Sequence, residues 1–308
     1  LYSVPVPAQA GVANTSVTMN AASMENSGFE FSATYRNRDH AFKYDISANL
    51  STLKNKVTSL GFGTDSYITG AYATYVGSEI GKFYGWVYEG IARTQEDLDN
   101  HATQSGANVG DCLYKDISGP NGEPDGVIDA YDQTVLGSGL PKVNFGLSTH
   151  MEYKGFDLNI STYGVLNYHV SDDIYNSLNS CYGWANKDVA MGDANRFAED
   201  GTYISNVPRT YATNNATLAW NDLFSSRKIQ NAAYWKIANV ELGYNFPNKW
   251  FGGYVSGVRL YVSAQNLYTF TGYKGYNVDY AGGTFTPGYN FCSFPSARTF
   301  MCGLHFTF

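Results

Sequence analysis

Apolar and polar residues alternate along this chain with a period of two. Phe29, Phe31, Ala33 and Tyr35 alternate with Glu30, Ser32, Thr34 and Arg36, and Phe42, Tyr44, Ile46, Ala48 and Leu50 alternate with Lys43, Asp45, Ser47 and Asn49. Successive side chains of a strand point to opposite faces, so each run predicts a strand with one apolar and one polar side. Asn37-Arg38-Asp39-His40 lies between them as a short hairpin connection. A second hairpin turns at Lys154-Gly155: Val143, Phe145, Leu147, Thr149 and Met151 share a face with Phe156, Leu158 and Ile160. Tyr234–Phe246, Val258–Asn266 and Phe300–Phe308 repeat the pattern, and further strands are expected near 80–92 and 67–76. The pattern predicts roughly nine to eleven strands, several of them about ten residues or longer, a length suited to crossing a bilayer at a tilt.

Alternation alone does not separate a membrane barrel from a soluble sandwich, because both give strands one apolar face. Strand length and connections favour the barrel, since sandwich strands usually run about five or six residues. Segments 93–140, 165–228 and 271–295 are long and rich in Gly, Asn, Asp and Tyr. With all three on one edge and short turns on the other, the architecture is that of an outer-membrane barrel. Tyr and Trp near strand ends fit interfacial girdles.

Composition narrows the choice. Aromatic residues make up 16% and charged residues 15%, against about 25% charged in an average soluble domain. Such a sequence suits strands and not a helical bundle, and its 44% hydrophobic content excludes disorder. The net charge of −7 argues against a nucleic-acid partner. No apolar run is long enough for a spanning helix, and the mean hydropathy of −0.29 is no obstacle to a barrel, where lipid-facing and lumen-facing residues alternate. Leu1–Pro7 shows no basic start or cleavage-like site, so the chain is expected to begin after processing or within a longer polypeptide. Cys112, Cys181, Cys292 and Cys302 lack metal-ligand spacing and leave one extracellular disulfide as the alternative to free thiols. Phe300, Cys302, Leu304, Phe306 and Phe308 share one face, and this strand with its final Phe resembles the last strand that outer-membrane barrels present to their assembly machinery.

The blocks along the chain carry a more specific resemblance. Leu1-Tyr2-Ser3-Val4-Pro5-Val6-Pro7, Ser23-Met24-Glu25-Asn26-Ser27-Gly28-Phe29-Glu30, Ser47-Ala48-Asn49-Leu50, Asn55-Lys56-Val57 and Gly81-Lys82-Phe83-Tyr84-Gly85 with Glu89-Gly90-Ile91 follow in order. Tyr114-Lys115-Asp116, Asn239-Val240-Glu241-Leu242-Gly243-Tyr244, Ala264-Gln265-Asn266-Leu267-Tyr268-Thr269-Phe270-Thr271 and Tyr273-Lys274-Gly275-Tyr276 complete the set. In this order they resemble the C-terminal half of a SusC-like TonB-dependent outer-membrane transporter of the Bacteroidetes group. The resemblance implies an all-β fold: the C-terminal part of an antiparallel transmembrane barrel of about twenty-two strands, its N-terminal plug and first half lying upstream. It also implies outer-membrane lipid around the barrel, a SusD-like surface lipoprotein as lid, TonB acting through the plug, and import of an oligosaccharide or a peptide. An unclosed sheet in lipid leaves backbone groups unpaired, so completion by an upstream polypeptide is expected. The rival readings are a soluble secreted glycan-binding β-sandwich and a small passive porin.

Asp116-Ile117-Ser118-Gly119 followed, after Pro120–Pro124, by Asp125-Gly126-Val127-Ile128-Asp129 and Asp132 resembles an EF-hand-like loop of that family. Hard oxygen donors suit Ca²⁺, and by this pattern the ligands would be Asp116, Ser118, Asp125, the Val127 carbonyl, Asp129 and Asp132, with Asn121 or Glu123 re-completing the enlarged loop. An ion-free acidic surface turn is the alternative. No catalytic signature is present: His40, His101, His150, His169 and His305 are scattered, no nucleophile elbow or phosphate loop occurs, and an enzyme is not expected. His150 and His305 fall on the polar strand face, where they line the lumen. For substrate, Trp86, Tyr182, Trp184, Trp220, Tyr276 and Tyr289 are the aromatic candidates to stack on sugar rings, with girdle or loop packing as their alternative role.

Overall fold

The computed structural model describes residues 2–5, 16–20, 22–61, 63–181, 186–210, 220–251, 255–280 and 282–308. Seven antiparallel strands form one sheet in which spatial order follows chain order: β1 (Glu30–Asn37), β2 (Phe42–Thr52), β3 (Val143–Tyr153), β4 (Phe156–Leu166), β5 (Tyr234–Phe246), β6 (Gly257–Thr271) and β7 (Thr299–Thr307). Each strand pairs only with its neighbours in sequence, an up-and-down meander. The eleven residues of β2, β3 and β4 rise about 36 Å, which a tilt of about 45° projects to about 26 Å, the height of an outer-membrane apolar band.

Turns alternate in length along this meander. Residues 38–41, Lys154-Gly155 and 247–256 close one edge, while 53–142, 167–233 and 272–298 leave the other. Lys154 and Gly155 have φ of 47° and 88°, the pair of positive angles that a two-residue hairpin needs to match strand twist. The three long connections share one edge of the sheet.

The register sorts the side chains as the alternation predicts. Phe31 lies opposite Leu50, which lies opposite Phe145, and Leu158, Leu242, Val262 and Cys302 form one row across four strands. These apolar side chains are exposed: Phe31, Leu50, Leu147, Leu242, Val262 and Leu304 all stand on the open face. No second sheet covers them among the described residues, which removes the sandwich reading and fits a face that meets lipid. Rings band the short-turn rim, with Phe42 against Tyr44 (5.7 Å) and Tyr153 (6.3 Å), and Phe156 against Tyr244 (4.7 Å). Trp235, Phe270 and Tyr268 band the other rim, so both girdles are in place.

The wall has fewer strands than the nine to eleven expected, because the sequence runs near 67–76 and 80–92 fold elsewhere. Ser66–Thr69, Tyr72–Tyr75, Lys82–Gly85 and Thr134–Ser138 make a small separate sheet. Their strands are too short to span a bilayer, and Tyr72, Ala73 and Phe83 are buried instead of facing lipid. The three long connections combine into one layer over the rim. His169–Asp172 pairs with Gln230–Asn231 and, in parallel, with Tyr289–Asn290, and Trp86 bridges to Ser225. Close backbone approach seals the joints. A Cβ at Gly139 would meet the Pro287 carbonyl oxygen at 2.0 Å, and Gly288 (φ 75°) touches His169 and Gly139. The buried hydrophobic side chains belong almost wholly to this layer; Tyr234 and Val258 are the wall residues among those described.

Candidate functional site

The polar face of the sheet carries a band of paired charges near the short-turn rim. Arg38 bonds Asp45, and His150 bonds both Asn159 (2.6 Å) and Glu152 (2.9 Å), with Lys43 3.7 Å from Glu152. Arg259 of β6 reaches across β5 to β4: its Nε donates to Asp157 (2.9 Å) and its Nη2 to Glu241 (2.7 Å), and Asn245 also donates to Asp157 (2.9 Å). The reach depends on Gly243, where a Cβ would sit 2.5 Å from Arg259 Nη2. Tyr261 then lies under the guanidinium at 5.2 Å and over Gly303. This explains the block Asn239–Tyr244 in physical terms: Glu241 supplies the acceptor and Gly243 the passage. His150 lies on the lumenal face as expected, and His305 shares it, opposite Arg259.

Above this band the β6–β7 connection turns onto the polar face. Asp279 accepts from Lys236 Nζ (2.5 Å), Tyr234 OH (2.9 Å) and Tyr163 OH (3.2 Å). A second tie is buried: Asp172 accepts from Tyr273 OH, Asn290 Nδ2 (2.9 Å) and the Tyr175 backbone N–H (2.8 Å). The segment is therefore held across the mouth by its own carboxylate and by one from the β4–β5 connection. Between it and the wall lies a cavity of about 310 Å³, lined by Lys236, Asn266, Thr269, Tyr276, Asn277 and Arg298 among others. Asn266 sits where β5 and β6 slip register, between Ile237 and Asn239, with φ 52°, a conformation that asparagine accepts better than most residues.

The structure separates the aromatic candidates. Tyr276 is exposed (62%) and lines that cavity, and Tyr289 packs against Phe291 at 6.4 Å within the layer. Trp86 and Trp220 flank the buried Tyr114 at 6.5 and 6.2 Å, and their indole N–H groups donate to the carbonyls of Asp129 and Ser105; both pack the layer's core. Tyr182 and Trp184 lie outside the described residues. Sequence reasoning missed Lys236, Asp157 and Arg259, whose signal was a charge at a polar-phase strand position. Asp279 gave no signal, being 43 residues from Lys236.

The acidic loop is organised around backbone donors. Asp132, fully buried, accepts from the N–H groups of Ile117, Ser118 and Asp129. Asp116 accepts from Gly126, Asp125 from Val127, and Asp129 from Tyr131. Ser118 Oγ turns to the Gly119 carbonyl (3.4 Å), and Val127 is an exposed side chain on the turn. Asp116 Oδ1 is the one buried carboxylate oxygen of this loop left without a partner. Among the described residues no three carboxylate, imidazole or thiol groups converge as a metal site; the loop's carboxylates are turned to its own backbone N–H groups. Cys112 and Cys181 are free, buried thiols whose pKa burial pushes up to about 12. Their backbone N–H groups are held by the adjacent Asn221 and Asp222.

Strands of bilayer length, an apolar outer face between two aromatic rims, a charged inner face and a loop layer over one rim define part of a large outer-membrane β-barrel. No family model matches the chain. Over its whole length it is 31% identical to TonB-dependent receptor P3 of Formosa agariphila and 26% identical to TonB-dependent receptor SusC of Bacteroides thetaiotaomicron. It spans 31% and 29% of those proteins, about a third of the length of the curated relatives it matches. The RagAB peptide transporter has the same fold over 99% of this chain and 31% of its own, at a TM-score of 0.77 and 22% identity; the open-open state of the RagAB peptide importer gives 0.73 and 21%. The chain is thus similar, over its whole length, to about a third of TonB-dependent receptors of the SusC kind, which are outer-membrane proteins. These relatives are receptors and transporters, not enzymes.

Proposed function

We propose that the whole protein imports an oligomeric nutrient across the outer membrane, driven by TonB, together with a SusD-like surface lipoprotein. The observation that carries this is the chain-long likeness to TonB-dependent receptors, SusC included. The geometry supports it: the loop layer roofs a polar wall, and Asp279 holds one loop across the mouth. An oligosaccharide is the first reading, because exposed Tyr276 beside amide and cationic side chains suits sugar faces and hydroxyls. A peptide is the second, favoured by the shared fold with the RagAB peptide transporter. The lipoprotein would sit as a lid on 165–228 and 271–295, and TonB would act through the plug of the complete barrel.

The test is uptake of labelled oligosaccharides and peptides by cells lacking this protein, or lacking TonB. Uptake of one class should fall to background in both strains; uptake surviving in either contradicts the proposal. Purification from native outer membranes should bring down a lipoprotein, and association unweakened by deleting 271–295 counts against that segment as its seat.

A further inference from the structure

Between the β4–β5 and β6–β7 connections, a cavity of about 330 Å³ opens at the rim, lined chiefly by Tyr175, Arg227, Gln230, Asn231 and Lys274. Its lining contains two cations and no carboxylate. Nearby acids are already committed: Asp172 to Tyr273 and Asn290, Asp173 to Tyr289, Asp222 to Cys181 and Lys228, and Asp279 to Lys236. Among the described residues the half-buried Arg227 has no hydrogen bond or ion pair. Lys274 projects its Nζ over the Tyr175 ring at 5.8 Å, and its backbone N–H donates to Gln230 Oε1 (3.0 Å). That bond fixes the Gln230 amide and leaves its Nε2 buried without an acceptor. What the cavity presents to a solute is the two uncompensated cations, which match an anionic group.

We propose that this cavity is a carboxylate-binding subsite for the transported oligomer. Arg227 would take the carboxylate as a fork, Lys274 would add the second charge, and Tyr175 would offer a flat face to the adjoining unit. A neutral solute would leave the cations unmatched. The idea rests on the import reading and narrows it to acidic solutes, whether a sugar acid or an acidic peptide.

The experiment is calorimetric titration of the native full-length protein in detergent, with trigalacturonate, its neutral galactose counterpart and triglutamate as probes. At least one carboxylate probe should bind more tightly than the neutral sugar, and which of them does so identifies the source. Arg227→Gln and Lys274→Gln should each weaken that binding by about tenfold or more, with Arg227→Lys falling between. Lys274 is exposed, so its variant keeps the fold. Equal affinity for neutral and acidic probes, or variants that bind the acid as well as the parent, would overturn the subsite and leave TonB-dependent import standing. Loss of that dependence in cells, with acid binding intact, would overturn the import reading instead.

Discussion

The wall and the loop layer use the same kinds of residue in opposite ways. In the wall, large apolar side chains such as Phe31, Leu242 and Leu304 stand exposed, and polar partners such as Asp157 and Arg259 are drawn together on the inner face. In the layer, Phe83, Tyr114 and Tyr203 are buried as in a soluble protein, and charges such as Asp111 and Arg209 pair at the surface of that core. The difference lies in the solvent. Lipid stabilises an exposed apolar face, whereas the layer lies beyond the bilayer and has to exclude water by its own packing. An aromatic residue in this chain therefore has no fixed meaning until its phase and its element are known.

The largest expected effect falls on the layer. Phe83, fully buried against Tyr72 (5.3 Å) and Phe224 (6.1 Å), should cost about 3–5 kcal/mol when changed to Ala. Limited proteolysis should then cut within 53–142, while the wall keeps its heat-modifiable gel mobility. Parallel loss of both would mean that the regions are one cooperative unit. Next comes the wall: Leu242→Arg on the lipid face should cost about 2–4 kcal/mol, measured by denaturant unfolding in lipid vesicles. Gln265→Arg, at an exposed position on the inner face, should cost less. Equal costs would erase the distinction between the faces.

What was legible in the sequence follows from the same contrast. The wall could be read because a period of two is a local signal, and β2, β3, β4 and β5 match the predicted strands closely. The strand predicted to end at Asn266 continues to Thr271; the bulge at Asn266 interrupts the alternation without ending the strand. The layer was far less legible. Nothing near Trp86 announces that Tyr114 and Trp220 will pack against its neighbourhood, and nothing in the Asp116–Asp132 spacing shows that the carboxylates will turn to backbone N–H groups. The first outcome depends on contacts between segments over a hundred residues apart, as with Tyr114 and Trp220 (106 residues); the second depends on how the loop backbone folds back on its own carboxylates, over separations of 2 to 15 residues.

A smaller effect tests the bulge that joins the two regions. Asn266→Ala should lower stability by about 1 kcal/mol because alanine resists a positive φ, whereas Asn266→Gly should be close to neutral. Both variants lose the Asn266 bond to the Ala297 carbonyl, so a shared loss would assign the cost to that bond and not to the backbone. The mildest probe is chemical. Cys112 and Cys181, buried and with raised pKa, should stay unlabelled by a water-soluble maleimide at neutral pH, while exposed Cys292 reacts. Rapid labelling of Cys112 in the folded protein would show that the layer opens readily.

The central claim is that the seven-stranded sheet stands in the bilayer with one face to lipid and the other to the lumen. Single spin labels placed in turn from Leu260 to Gln265 on β6, in the full-length protein reconstituted in vesicles, test it most directly. Leu260, Val262 and Ala264 should relax with membrane-dissolved oxygen, and Tyr261, Ser263 and Gln265 should not. Uniform access of a water-soluble relaxant to both sets would contradict the account.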